Sequence, residues 1–376
     1  MMSARFLTVV LERAFNMRDG FGREIDYMRI SVIDSCNLNC YYCNPCDNNE
    51  HCHALNILSV KEVLCIVRAA TRLGIKHFRL TGGEPLLHPQ LDEMVLQIKK
   101  ISGVSSVSLT TNAVLLAQHA KWLKEAGIDS INVSLDTIDA SEYERITKKP
   151  LLEEVKHGIN AAIECGIRVK INVVLTPQTD VVALTRYVAK KGTDIRFIEM
   201  MPVGEGHTNG VEPYKKVIGT LSKLYGEPCR INTEKTKEIN SGNDKRKIPD
   251  NGPAEYYIFP ELGIRVGLIQ AIHGKFCDTC NRIRVTADGR LMPCLGSSVT
   301  MDLVPDSCEF TDDLEKDFVI VQALKAAIKA KPGCHNFNDN AVTYTKTTET
   351  KTVETKATEL KAAEVNAARN MSRIGG

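Results

Sequence analysis

The chain lacks an excess of either charge: 48 Lys and Arg against 46 Asp and Glu leave a formal net charge of +2 over 376 residues. That balance gives no reason to expect a general binder of nucleic acid or of membrane surfaces. No apolar stretch is long enough to span a bilayer. The early run from Phe6 to Leu11 is short and is followed by Glu12 and Arg13, so no secretory leader is expected. Cysteine, by contrast, is plentiful, with 13 residues. In a long chain without a leader, clustered cysteines read as metal-binding or catalytic rather than disulfide-bonded, and the expected compartment is the cytoplasm. The length allows one large or two smaller domains with a sizeable core.

A fourth cysteine is what each cluster lacks. Cys36-Asn37-Leu38-Asn39-Cys40-Tyr41-Tyr42-Cys43 offers three thiolates directly after the alternating run Met28–Ile33, which reads as a strand. Thiolates select zinc, Cu(I) or iron–sulfur clusters. A structural zinc ion wants four protein ligands. A [4Fe–4S] cluster has four irons to hold, so three cysteines leave one iron open to a small molecule. The competing reading is a zinc knuckle completed by Cys46, Cys52, His51 or His53. The second set, Cys277, Cys280 and Cys294, again numbers three. Asp288-Gly289 between them predicts a hairpin turn that folds Cys294 back towards Cys277 and Cys280. A zinc ribbon would need Cys308, Cys334 or His273 here. Arg282 and Arg284 alternate along one strand face and suggest that an anion is held beside the metal.

Between the two sets the chain repeats a short β-rich run followed by a helical period. The runs are Met28–Ile33, Lys76–Leu80, Ser105–Thr110, Ser130–Leu135, Arg168–Leu175 and Asp194–Glu199. Helical spacing of apolar residues covers Val60–Leu73, Leu91–Ile101, Leu116–Ala126, Glu153–Cys165 and Val182–Lys190. Glycines 74, 127 and 166 close three of these helices. Each run ends in polar residues: Cys36, then Thr81-Gly82-Gly83-Glu84-Pro85, Thr110-Thr111-Asn112, Ser134 and Asp136, Lys170 and Asn172, and Glu199 with Met201. Several strand ends contributing in turn predict a barrel-type site rather than a single switch point. The expected fold is therefore α/β, an incomplete (β/α)6 barrel of the TIM type. Gly82-Gly83 reads as a close backbone approach to a ligand, with a plain strand-to-helix turn as the alternative. Val211–Leu224 reads as a helix, and a smaller C-terminal region follows with the second cysteine set.

The first triplet, with an aromatic before its last cysteine, and the Gly-Gly pair after the second strand resemble the radical S-adenosylmethionine (SAM) enzymes. The second set, in the stretch Phe276-Cys277-Asp278-Thr279-Cys280-Asn281-Arg282-Ile283-Arg284, narrows the resemblance. So do Asp19-Gly20-Phe21-Gly22-Arg23 and the terminal Gly375-Gly376. Together they make the chain similar to the GTP 3′,8-cyclase family, which begins molybdenum-cofactor biosynthesis. The resemblance implies a SAM-binding [4Fe–4S] cluster on Cys36, Cys40 and Cys43, and a second [4Fe–4S] cluster on Cys277, Cys280 and Cys294. It implies SAM contacts at Tyr42, Gly83, Ser134 and Met201. GTP contacts are implied at Arg29, Arg79, Thr110, Lys170, Arg282 and Arg284, with Arg196 a further candidate and Gly375 and Gly376 as catalytic contributors. The implied reaction cyclises GTP through a 5′-deoxyadenosyl radical. Implied partners are a reduced flavodoxin- or ferredoxin-type electron donor, the downstream cyclic pyranopterin monophosphate synthase (MoaC) and a homodimer mate, with no nucleic acid and no membrane. Competing readings are a peptide-modifying radical SAM enzyme and a zinc-binding interaction module. The expected boundaries are an extension at 1–20, the partial barrel at 21–225, an auxiliary-cluster region at 226–336, a linker at 337–370 and the terminal segment 371–376.

Three features depart from the family pattern. The loop from Asn44 to His53 is richer in Cys and His. Ala113 stands where Gly is usual. Residues 341–362 repeat Thr, Lys and Glu, which reads as a disordered linker that lengthens the tether to Gly375-Gly376.

Overall fold

The computed structural model describes residues 17–43, 56–202, 211–231, 252–297, 299–303, 313–335 and 337. Cys46, Cys52, His51, His53, Cys308, the repetitive stretch and the terminal Gly375 and Gly376 lie outside the described residues.

Six parallel strands carry the polar residues: β1 (Tyr27–Ser31), β2 (His77–Thr81), β3 (Ser106–Thr111), β4 (Ser130–Ser134), β5 (Val169–Leu175) and β6 (Asp194–Glu199). They fall within two residues of the sequence-predicted runs. Their period is two, and it sorts chemistry by face. Met28 and Ile30, Phe78 and Leu80, Val107 and Leu109, and Ile131 and Val133 are fully buried. Their alternating partners Arg29, Arg79, Thr110, Asn132 and Ser134 line an interior cavity.

The helices between the strands cover the apolar face. They are α1 (Val60–Arg72), α2 (Leu91–Lys99), α3 (Leu116–Glu125), α4 (Ala140–Thr147), α5 (Leu152–Glu164) and α6 (Val181–Lys190). Helix α1 starts with a full capping box, Ser59 and Glu62 each satisfying the other's backbone N–H. Helix α4 was not expected. The predicted helix at Val211–Leu224 is a π turn at Tyr214–Ile218 that continues into α7 (Gly219–Tyr225).

The sheet does not stop at six strands. The later strands are β7 (Cys229–Ile231), β8 (Glu255–Ile258), β9 (Arg265–Ile269), β10 (Arg282–Val285), β11 (Arg290–Met292) and β12 (Met301–Asp302). Among the described residues the order is β12-β11-β10-β1-β2-β3-β4-β5-β6-β9-β8-β7. Strand β10 joins β1 in parallel, and β9 joins β6 in parallel. The outer strands are antiparallel and leave the barrel unclosed. A final helix, α8 (Asp313–Lys329), packs on α1, where Arg72 pairs with Asp317 at 2.9 Å. No described helix is long and apolar enough to cross a membrane.

Candidate active site

The inner faces of these strands enclose a cavity of about 760 Å³. Every described residue to which the resemblance assigns a cluster or SAM contact lines it: Cys36, Cys40, Cys43, Tyr42, Gly83, Ser134 and Met201 from the first set, and Cys277, Cys280 and Cys294 from the second. Arg29, Arg79, Thr110, Lys170, Arg196, Arg282 and Arg284 line it as well. Two cysteine sets more than 230 positions apart in sequence thus face one space.

The first set sits in the loop after β1, held from three sides. Asn39 N donates to the Thr147 carbonyl at 3.0 Å and Tyr41 N to the Ile146 carbonyl at 3.1 Å, so the last turn of α4 anchors the loop with its orphan carbonyls. Gly83 N donates to the Ile33 carbonyl at 2.8 Å and Glu84 N to the Ser35 carbonyl at 2.8 Å. A Cβ at Gly82 would overlap the Ile33 carbonyl oxygen, and one at Gly83 the oxygens of Asp34 and Ser35. The glycine pair is therefore required by the chain's own approach to the segment entering Cys36. The close approach to a ligand that the sequence suggested is not its first cause. On the remaining side, the Tyr42 hydroxyl donates to Asp136, whose other oxygen accepts from Val174 N at 2.7 Å.

Burial dominates the electrostatics of this set. It pushes the Cys40 thiol up to about 12, assisted by Asp136 and Cys43, and raises Cys36 and Cys43 as well. Burial also lifts Asp136 to about 6 against the hydrogen bonds from Tyr42 and Val174. These thiols ionise when a cationic centre replaces the proton.

The second set is assembled by contacts no local pattern announces. Arg23, buried and paired with Asp19 at 2.6 Å, donates to the carbonyls of Cys277 at 2.6 Å, Pro332 at 2.6 Å and Gly333 at 2.9 Å. The predicted hairpin is present, with Gly289 at φ +76° and Val285 opposite Leu291. Burial would raise the Cys280 thiol, but Lys331 and Arg282 beside it bring it below its ordinary value. Glu199, read from the sequence as strand-end chemistry, is structural. It accepts from Ile272 N at 2.7 Å and His273 N at 3.1 Å and also binds the His273 ring.

Cations form a row across the sheet. Arg29 lies in register with Arg284 on one side and Arg79 on the other, and Tyr27 with Arg282. Burial, then the guanidiniums of Arg284 and Arg79, push Arg29 down to about 9. Among the described residues no carboxylate pairs with Arg29 or Arg79. Burial would raise the Tyr27 phenol, yet Arg79, Arg29 and Arg282 around it bring it below its usual value. Such crowding of like charge is costly without an anion.

Tyr27 was missed from the sequence, as were Asn132 and His335. Asn132 Oδ1, Arg196 Nη2 and His335 Nδ1 are buried, line the cavity and have no hydrogen-bond partner among the described residues. Orphaned atoms of this kind mark where a polar ligand belongs. The period-two pattern could have found Asn132, two residues before Ser134. Nothing local marks His335.

The donor set, three soft thiols in each group on one cavity, fits iron–sulfur clusters. Among the described residues no three Cys, His, Asp or Glu side chains converge to hold one metal ion. Of the described zinc candidates, His273 is engaged by Glu199 and Cys334 is exposed. Three thiols that line one cavity and lie near enough for their charges to interact suit a four-iron cluster, which carries its own separation between ligands.

Comparison with known proteins agrees. Residues 30–183 match the Radical SAM superfamily, and residues 193–337 match Molybdenum Cofactor Synthesis C. The chain is 35% identical over 324 residues to a GTP 3′,8-cyclase of Clostridium perfringens (strain 13 / Type A), covering 85% of this chain and 95% of that one. It is 36% identical over 327 residues to the GTP 3′,8-cyclase of Pelotomaculum thermopropionicum, with coverages of 85% and 95%. Streptococcus suis SuiB bound to S-adenosylmethionine shares the fold at a TM-score of 0.52 and 14% identity, over 80% of this chain and 65% of that one. The chain belongs to the GTP 3′,8-cyclase family of radical SAM enzymes.

Proposed function

We propose that this cavity holds both substrates of a GTP 3′,8-cyclase, with the residues in the roles the sequence suggested. The enzyme converts GTP to (8S)-3′,8-cyclo-7,8-dihydroguanosine 5′-triphosphate, the first step of molybdenum-cofactor biosynthesis. Its cofactors are SAM and two [4Fe–4S] clusters. Cys36, Cys40 and Cys43 hold the first cluster, and Cys277, Cys280 and Cys294 the second. The first cluster, with SAM bound, supplies the one-electron bond cleavage that no side chain offers.

The protein's part is placement and charge. Arg29, Arg79, Arg282 and Arg284 present planar forks to phosphate oxygens, Lys170 adds a point charge and Thr110 a hydroxyl. The strands fix these groups before substrate arrives, so little entropy is lost on binding. Tyr42, Gly83, Ser134 and Met201 meet SAM, and Asp136 holds the Tyr42 hydroxyl in place. The apolar inner faces of the helices outside the sheet keep water from the back of the cavity. Gly375 and Gly376, with a flavodoxin- or ferredoxin-type donor, delivery to MoaC and a homodimer, rest on the family resemblance alone, and a cytoplasmic location rests on the clustered cysteines.

The observation that carries this reading is the row Arg284–Arg29–Arg79 in register across three strands. It predicts opposite effects of one substitution. Arg29→Met relieves like-charge crowding and raises the stability of the ligand-free chain, while GTP binding weakens roughly 10- to 150-fold, as expected for about 1.5–3 kcal/mol of charged hydrogen bonding. Chemical denaturation and equilibrium GTP binding measure the two. Unchanged GTP affinity would remove the triphosphate from this row.

A further inference from the structure

We propose that Asn112 is a positioning residue of the first cysteine set, its side-chain amide donating to the Cys36 sulfur and setting how readily the cluster there accepts an electron. The inference rests on the assignment of Cys36 as a ligand of that cluster.

Asn112 follows β3 and faces the cavity. Its Nδ2 lies 3.8 Å from Cys36 Sγ and 2.7 Å from Asn37 Oδ1. An amide nitrogen carries two hydrogens, one for each acceptor. The orientation is fixed by chemistry, because Oδ1 accepts from Val114 N at 3.0 Å, and a backbone N–H can only donate. The nitrogen must therefore point at the cysteine. The backbone is fixed as well. Asn112 N donates to Glu84 Oε2 at 2.7 Å, and the other oxygen of this fully buried carboxylate accepts from Thr111 Oγ1 at 2.7 Å and Leu86 N at 3.0 Å. Leu38 N adds a second donor to the same sulfur at 3.5 Å.

Reduction of an iron–sulfur cluster places more negative charge on its sulfurs. A fixed N–H donor stabilises the reduced form more than the oxidised one and raises the potential. Asn112 reaches Cys36 from a different strand end, so the donor stays in place independently of the cysteine loop's own turns.

The test is a redox titration followed by electron paramagnetic resonance on the reconstituted full-length enzyme. The SAM-responsive signal marks the first cluster, and the second cluster serves as an internal control. Asn112→Leu removes the donor. Asn112→Asp keeps the bond from Val114 N and turns an acceptor towards the sulfur. Both variants are expected to lower the midpoint of the first cluster, Asn112→Asp further than Asn112→Leu, with the second cluster unmoved. An unshifted first-cluster midpoint in either variant at wild-type iron content overturns the proposal. So does an equal shift of both clusters, or loss of the first cluster from both variants, since a purely structural role would explain each. A wild-type enzyme without any SAM-responsive cluster signal would instead overturn the ligand assignment beneath it.

Discussion

Ala113 holds φ at +65° with its side chain fully buried, in the left-handed region that disfavours residues other than glycine. The strain costs about 1–2 kcal/mol. Against it stand about 0.8 kcal/mol from the buried methyl and about 0.5–1 kcal/mol of chain entropy that Gly would lose on folding. These offset, so Ala113→Gly is expected to change stability by less than about 1 kcal/mol. Ala113→Val crowds both the backbone and a filled site and should cost about 3 kcal/mol, read by denaturant unfolding. Asp136 offers a pH test in the cluster-free chain. Its folded value, raised from 3.8 to about 6, means its stabilising contribution is full below pH 3.8 and lost as pH rises through about 6. Asp136→Asn should flatten that profile, gaining on the wild type by on the order of 3 kcal/mol across the window; parallel profiles would contradict the assignment. Residue-scale legibility followed chemistry. Cysteines and in-strand arginines stood out, while Tyr27 and His335 are ordinary residue types whose meaning comes only from their neighbours.

Strands were legible nearly to the residue because the period-two pattern records a physical division, apolar side chains against helices and polar ones into the cavity. Helix α4 was missed even though its signal was present. Asp139 caps it by accepting from Glu142 N at 2.8 Å, an acidic residue three positions before a Glu. The omission matters, since the end of α4 anchors the cysteine loop. The Gly-Gly turn was noticed for a partly different reason from the one the structure gives. Gly83→Ala should push the Asp34–Ser35 backbone away and disturb Cys36. The expected result is a fall in iron content towards the four irons of the second cluster alone, measured by iron and sulfide analysis. Full iron content in that variant would contradict the account of the turn.

Across the whole molecule, the flanking strands could not be read locally. Strands β1 and β10 pair although more than 250 positions separate Tyr27 from Arg282, and short runs of this kind carry no signal of a distant partner. That pairing brings Arg282 and Arg284 beside Arg29 and sets the second cysteine set against the same cavity as the first. On the proposed assignment one substrate meets both the SAM site and the second cluster, and this pairing is what puts the two cysteine sets on one cavity. The direct test is to reduce the anaerobically reconstituted enzyme with SAM and GTP together and follow 5′-deoxyadenosine and GTP in the same reaction. Formation of 5′-deoxyadenosine and loss of GTP should rise together. Arg282→Ala with Arg284→Ala should abolish GTP loss. SAM cleavage with GTP untouched in the wild-type enzyme would contradict the assignment of the shared cavity to GTP.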